Sequence, residues 1–487
     1  MQKTAAFDRI LTWLAAEQSA TNIDNLVELN QVLEILLELG VTAEQRLNLL
    51  DLFLRRTTRL QVDLTTELTA ATLPLPQNLR LRADYVGEAN GQLAQGFVAV
   101  INEMQEDATQ AVSLHPAHVA WLAMQSLHGQ LQVSILSCAP PPANIWQQAL
   151  LTLRLLQTER ANASLADEFN HMLALAVVQP ESFTARELVF LIDYLQSTPS
   201  QVIWLATGDT LPHSAWWLDP ARDHPPHAAA RLRPPQEPGL FFFDCAHLAH
   251  QARQHLAQLA DGTPPAKLGL PPAASDDYRN ILTVAADRWS GPGKRQHIRY
   301  LGNYRVEICA SAGALWNYLA ATDSIDQQTD GPLAASEWLV TNESAGGYTL
   351  FHVAGPCAGL RTGTALGLRQ ADSKSWSICL VRWAKSDHPA HIELGLDLLA
   401  TTAQAVRIAH HGTSAPVPAL LLPAQPALQR GETLLTTRGL FRPGNFMLLA
   451  DDVTGVHLCD CETGPLITHT SSIEIFEFSR RSPRAAL

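Results

Sequence analysis

No run of about 18 apolar residues occurs anywhere in the 487-residue chain, so no membrane-spanning helix is expected. Met1 to Ala20 contains no apolar h-region, and we expect no signal peptide. Cysteine is sparse: the seven are odd in number and scattered, which excludes a disulfide framework and implies a reduced, cytoplasmic protein. Positive charge is in deficit, with 34 Lys and Arg against 47 Asp and Glu. A net charge of −13 suits neither non-specific nucleic-acid binding nor an anionic membrane surface. Nucleotide chemistry also lacks its usual signatures. There is no G-x-x-x-x-G-K-[ST], and no G-x-G-x-x-G after a strand, which argues against nucleotide hydrolysis and a dinucleotide cofactor. His410-His411-Gly412-Thr413-Ser414 has a hydrolase-like polarity but no G-x-S-x-G elbow, and reads as a loop. We therefore expect a protein with no catalytic residues, and not an enzyme.

The apolar pattern of the first half is helical. Leu26, Leu29, Val32-Leu33 and Leu36-Leu37 predict one helix, stopped near Gly40. Thr42-Ala43-Glu44-Gln45 is a capping box opening the next, through Leu47, Leu50 and Phe53-Leu54. After the break at Pro74 and Pro76, helical spacing resumes over Tyr85 to Met104, Pro116 to Gln132 and Ala143 to Glu159. Thr184-Ala185-Arg186-Glu187 is a second capping box. Residues 1–206 thus read as a helical region without a fixed repeat. From 207 to 239, Pro212, Pro220, Pro225-Pro226, Pro234-Pro235 and Pro238 predict a long irregular segment, in which Trp216-Trp217 must pack on something. Helices follow over Asp244 to Leu259 and Asp276 to Trp289, so 207–284 reads as a proline-rich segment with connecting helices. Ser290-Gly291-Pro292-Gly293 reads as a hinge. Residues 411–487 hold strand-like runs such as Phe446 to Leu449, Val456 to Cys459 and Ile473 to Phe478, a small β unit ending in a frayed basic tail over Ser479 to Arg484.

Two clusters have metal-ligand character. His457, Cys459 and Cys461 alternate along a strand and share a face, and read as small side chains on its inner side. Asp244, His247, His250 and Gln251 can share a helix face, and read as an ordinary polar one. No metal is expected at either, although the first leaves open a metal-dependent enzyme that elemental analysis would reveal.

A different pattern remains. Lys294-Arg295-Gln296-His297-Ile298-Arg299 places two arginines four residues apart behind a lysine. Asn342-Glu343-Ser344-Ala345-Gly346-Gly347 is a polar turn ahead of the strand-like Tyr348 to Val353. A guanidinium grips a phosphate, or O6 and N7 of a guanine, with two parallel bonds, and its flat face stacks on a purine. Asn342 and Ser344 add short polar arms, and glycines allow close backbone approach. Taken together the halves suit a ligand that is both anionic and guanine-bearing.

R-x-x-x-R followed by [D/N]-x-S-x-x-G resembles the signature of the PilZ family. Trp376 to Trp383 and Ile392 to Leu399 look like that domain's later strands. The resemblance covers about residues 285–410 and implies a PilZ-like antiparallel β-barrel, so the whole chain reads as α+β, helix-rich first and barrel with a β extension afterwards. One departure is the long stretch from 300 to 341, where Leu315 to Leu319 and Thr322 to Asp330 look inserted. The resemblance also implies a function, that of a receptor for the bacterial second messenger cyclic di-GMP. Lys294, Arg295 and Arg299 would take its phosphates and stack on or pair with guanine, Asn342 and Ser344 would bond the base edge, and Gly346 and Gly347 would permit close approach. Ligand binding would order the arginine segment and act on an unidentified protein partner through the helical half. The alternative is a helical adaptor whose barrel binds no nucleotide.

Overall fold

A computed structural model describes residues 2–483, apart from 107–114, 155–162, 199–201, 207–210, 274, 294–296, 324–334, 374, 389, 411–414, 426–430 and 453–454. The chain forms two compact units, residues 1–71 with 75–294 and residues 72–74 with 295–487. The architecture is α+β: helices dominate the first part, and two closed antiparallel barrels of six strands make up the last.

The first unit is built from α1 (Gln2–Ala15), α2 (Ile23–Glu38), α3 (Ala43–Ala70), α4 (Gln77–Glu106), α5 (Pro116–Leu136), α6 (Ile145–Arg154), α7 (Ala163–Val177) and α8 (Ala185–Ser197). Both capping boxes form: Thr42 with Gln45 opens α3 and Thr184 with Glu187 opens α8. Helix α4 packs against α2, α3 and α5, with Val86, Leu93, Phe97, Val100 and Ile101 fully buried. Burial of such side chains stabilises each by about 1.5–3 kcal/mol relative to exposure. Polar groups inside the bundle are bonded in sequence. Asn90 Nδ2 donates to Gln61 Oε1 (3.1 Å), Gln61 Nε2 donates to Gln132 Oε1 (3.1 Å), Gln132 Nε2 meets His128 Nε2 (3.1 Å), and His128 Nδ1 pairs with Glu168. That chain ties α3, α4, α5 and α7 together. Arg82 forks onto Glu67 (2.8 and 2.6 Å), which holds the Glu67 carboxyl below its ordinary range.

The proline-rich segment is more ordered than its composition predicts. Four short strands, β1 (Ile203–Leu205), β2 (Ala215–Leu218), β3 (His227–Ala228) and β4 (Phe241–Asp244), form an antiparallel sheet in the order β1-β4-β2-β3. Prolines lie between these strands, so they set their ends without interrupting a ladder. Trp216 and Trp217 are buried on β2, as packing required. Helices α9 (Ala246–Ala260) and α10 (Ser275–Trp289) complete the unit. The expected hinge is held instead: Gly291 and Pro292 are buried, Arg253 donates to Ser290 Oγ (2.7 Å), and Arg231 donates to the Gly293 carbonyl (2.9 Å).

In the second unit β5 (Tyr300–Cys309), helix α11 (Ala312–Asp323), β6 (Ser336–Ser344), β7 (Gly347–Ala354), β8 (Ala365–Gln370), β9 (Ser377–His388) and β10 (His391–Ala400) follow in the chain. The strands close in the order β10-β7-β6-β5-β8-β9. Inward positions alternate, and Trp338, Val340, Leu350, Ile392 and Leu394 are fully buried. The second barrel uses β11 (Gln404–His410), β12 (Val417–Leu422), β13 (Thr433–Thr437), β14 (Asn445–Asp452), β15 (Gly455–His469) and β16 (Ile473–Pro483), closed as β11-β12-β13-β16-β15-β14. The change of barrel falls between Ala400 and Gln404, ahead of the 410 suggested by sequence, because strand alternation does not mark which barrel a strand closes. Ser479 to Pro483 is no frayed tail. It continues β16, and Arg480 and Arg481 pair with Glu432 (2.9 Å) and Glu462 (2.6 Å).

The inserted Leu315 to Leu319 lies on α11, a wedge between the barrels; residues 324–330 of the insertion lie outside the described residues. Leu315 joins a core cluster with Trp376, Ile378 and Leu380 of the first barrel and Leu420, Leu435 and Ile475 of the second. Trp316 Nε1 donates to the Val406 carbonyl (2.8 Å), with the Arg407 guanidinium 5.1 Å over its ring.

Candidate functional site

Strand pairing sets the end of the arginine segment beside the polar turn. Tyr300 pairs with Glu343 and Leu301 with Asn342, so β5 enters the barrel beside the Asn342–Gly347 turn directly after Arg299. The inserted helix leaves this register intact because it joins the far ends of β5 and β6. Lys294 and Arg295 lie outside the described residues. Arg299 is exposed, and among the described residues no hydrogen bond or ion pair holds its guanidinium. Its neighbours Ile298 and Leu301 are 74% and 91% exposed. Apolar side chains so open beside a cation suit a stacking or covering ligand more than solvent.

The turn is rigid. Ser344 Oγ accepts from the Gly346 amide (3.3 Å) and donates to the Gly347 carbonyl (3.4 Å), while the Gly346 carbonyl accepts from the Leu398 amide (2.9 Å). A Cβ on Gly347 would run into the Leu396 carbonyl oxygen, and one on Gly346 would lie 2.8 Å from His297 Cδ2. Both glycines therefore make room for the protein's own atoms, one for strand β10 and one for the imidazole in the middle of the arginine segment. Tyr304 donates to Glu343 (2.5 Å) across the β5–β6 ladder. Burial first, and then the Glu343 carboxylate, push the Tyr304 hydroxyl above its ordinary range.

A further feature was not legible in the motif. Asn342 pairs with Thr349, Thr349 with Gly395, and Gly395 with Trp383, one lateral row on one face of the barrel. A Cβ on Gly395 would collide with Trp383 Nε1, so the indole lies flat across the bare Gly395 backbone. Lys385 Nζ stands 5.6 Å from the ring centroid, and Arg382 pairs with Asp397 (3.3 Å). The row thus carries a carboxamide, a hydroxyl and a large aromatic ring with the Lys385 ammonium over it. Gly395 and Trp383 were both in view in the sequence; their contact depends on register, which the pattern alone does not fix.

Neither metal-like cluster is assembled as a site. Cys461 is buried in the second barrel and Cys459 packs against that core; burial, with Cys459 beside it, pushes the Cys461 thiol up to about 12. Asp244 ends β4 just ahead of α9 and accepts from the Ala246 amide (2.5 Å) and from Ser214 Oγ (2.6 Å). Among the described residues no three metal-ligating side chains converge. Also among them, no helix is long and apolar enough to cross a membrane.

Residues 324–405 match a family model described as the middle PilZ domain of the cyclic-di-GMP receptor FimW. This region of the chain is a PilZ domain. Its other parts match two companion models, the FimW N-terminal domain over residues 8–205 and the FimW C-terminal β-barrel domain over 401–481. The cyclic-di-GMP receptor FimW of Pseudomonas aeruginosa is 24% identical over 518 aligned positions, covering 89% of this chain and 84% of that protein. No solved structure matches. Within the PilZ match lie Asn342, Ser344, Gly346, Gly347 and Trp383; Arg295 and Arg299 precede it.

Proposed function

We propose that this PilZ protein is a cytoplasmic receptor, not an enzyme, whose ligand is cyclic di-GMP bound at the Arg299 end of β5 and the Asn342–Gly347 turn. The observation that supports the reading is the β5–β6 register, in which the ladder starts opposite the polar turn directly after Arg299, a residue exposed and unpaired among the described residues. Arg299, with Arg295 and Lys294 from the preceding segment, takes phosphates by charge-assisted forks and stacks on or pairs with guanine. Asn342 and Ser344 bond a base edge, on a turn that Gly346 and Gly347 let lie against His297 and β10. Trp383 offers a guanine a flat face on the same row. Ligand binding acts on a partner protein through the helical unit.

Titration of the purified chain with cyclic di-GMP, by calorimetry and by thermal unfolding, tests this. Saturation at about a hundred times Kd adds about 2.7 kcal/mol to stability. Absence of both binding heat and a melting shift would remove the receptor reading. The adaptor reading, a barrel binding no nucleotide, would then stand, favoured by the position of the arginines ahead of the matched PilZ segment.

A further inference from the structure

The two glycines of the turn are required for different reasons. Gly347 is trapped against strand β10. Gly346 has no left-handed backbone, so its conformation is open to any residue; only the His297 ring occupies the space of its missing side chain, with Cδ2 at 2.8 Å and Nε2 at 3.3 Å from an ideal Cβ. The floor under the ring is fixed by the Leu398 amide on the Gly346 carbonyl (2.9 Å) and by Ser344 Oγ (3.3 Å). Directly after Arg299 the ladder begins, with Tyr300 opposite Glu343 and the Tyr304–Glu343 bond reinforcing it. Arg299 is therefore bracketed, by the ring seat before it and by strand pairing after it.

We propose that His297 is a positioning residue: its ring, seated on the bare Cα of Gly346, fixes the backbone that carries Arg299 toward the turn. The inference rests on the cyclic di-GMP reading and adds a residue outside the R-x-x-x-R and N-x-S-x-x-G positions. A guanidinium already aimed at its target binds with less ordering left to do.

The test uses the full chain, cyclic di-GMP titration, and trypsin cleavage after Arg299 without ligand. Gly346→Ala and His297→Ala are each expected to weaken binding by about five- to tenfold and to speed cleavage, with the melting temperature unchanged. The double variant should be no worse than either single one, because the alanine methyl has nothing to displace once the ring is gone. His297→Phe keeps a flat ring and should restore both affinity and protection. Parent-like cleavage and affinity in both single variants, or effects that simply add, would overturn the proposal. If the parent itself binds no cyclic di-GMP, the receptor reading falls, and the positioning role toward that ligand falls with it; parent binding with unaffected variants removes the His297 role alone.

Discussion

Around Asn342 the first barrel shows a carboxamide, a bare glycine under an indole, and the exposed Arg299, which no described partner holds. On the second barrel the two arginines of β16 are paired, Arg480 with Glu432 at 2.9 Å and Arg481 with Glu462 at 2.6 Å. Both barrels close six antiparallel strands over an apolar interior. A closed barrel is thus a scaffold in each case, and the difference lies in which outer charges are already satisfied and where glycine leaves a surface flat. A paired surface arginine contributes little to stability and offers little to a ligand. An unpaired one beside a rigid polar turn has its donors available.

The largest expected effect separates the barrels on this point. Arg299→Ala and Arg295→Ala should each weaken cyclic di-GMP binding by about 30-fold or more, since removing one partner of a charge-assisted pair typically costs about 2–5 kcal/mol. Arg→Lys should not restore it, because an ammonium lacks the fork and the flat face. Arg480→Ala on the second barrel should leave affinity unchanged. Calorimetry on these variants decides, and equal affinity for the parent and both Arg→Ala variants of the first barrel would sink the site.

Gly347→Ala tests the floor instead of the donors. Its methyl would meet the Leu396 carbonyl oxygen head-on, so β7 and β10 must part. Overpacking of this kind costs about 1–3 kcal/mol. Gly431 of the second barrel has nothing within 4 Å of its Cβ position, and Gly431→Ala should be neutral. Thermal unfolding should show a fall of several degrees for the first and none for the second; matching melting temperatures would show that β7 moves aside freely.

Local rules were readable in advance where one residue settles the outcome. Thr42 with Gln45 and Thr184 with Glu187 announced two helix starts, and both boxes form. The two motif halves were equally visible, each needing only its own residue types. What escaped depends on contacts distant in sequence. The proline-rich stretch hides β2 and β3, whose partners are β4 and each other. Gly291 reads as flexible until Ser214 and His213 are seen against it. The meaning of Gly346 depends on His297, and that of Gly395 on Trp383. In each of these cases tertiary packing overrides what composition suggests.

Trp383→Ala removes the flat face on the Asn342 row. Stacking of a base on an aromatic side chain is worth about 1–3 kcal/mol by alanine substitution, so binding should weaken by roughly tenfold. Trp383→Phe should recover part of it. On the second barrel Phe446 and Phe476 are fully buried, and changing either should alter stability and leave affinity alone. Titration with the alanine variant giving parent-like affinity would confine Trp383 to covering Gly395.

The smallest effect compares two turn hydroxyls. Ser344 Oγ makes two long bonds within its own turn, 3.3 Å from the Gly346 amide and 3.4 Å to the Gly347 carbonyl. Thr470 Oγ1, in the turn between β15 and β16, accepts from the Ser472 and Ile473 amides (3.1 and 3.0 Å) and donates to the Gly363 carbonyl (2.7 Å) of the first barrel. A net hydrogen bond contributes about 0.5–1.5 kcal/mol. The long bonds of Ser344 leave its hydroxyl available to a ligand, so Ser344→Ala should cost about 1 kcal/mol of affinity and almost nothing in melting temperature. Thr470→Val keeps the shape and strands three backbone groups, so its cost should appear in stability and leave cyclic di-GMP binding as it was. If the two variants exchange these phenotypes, Ser344 is a structural turn residue and the ligand-facing side of the first barrel lies elsewhere.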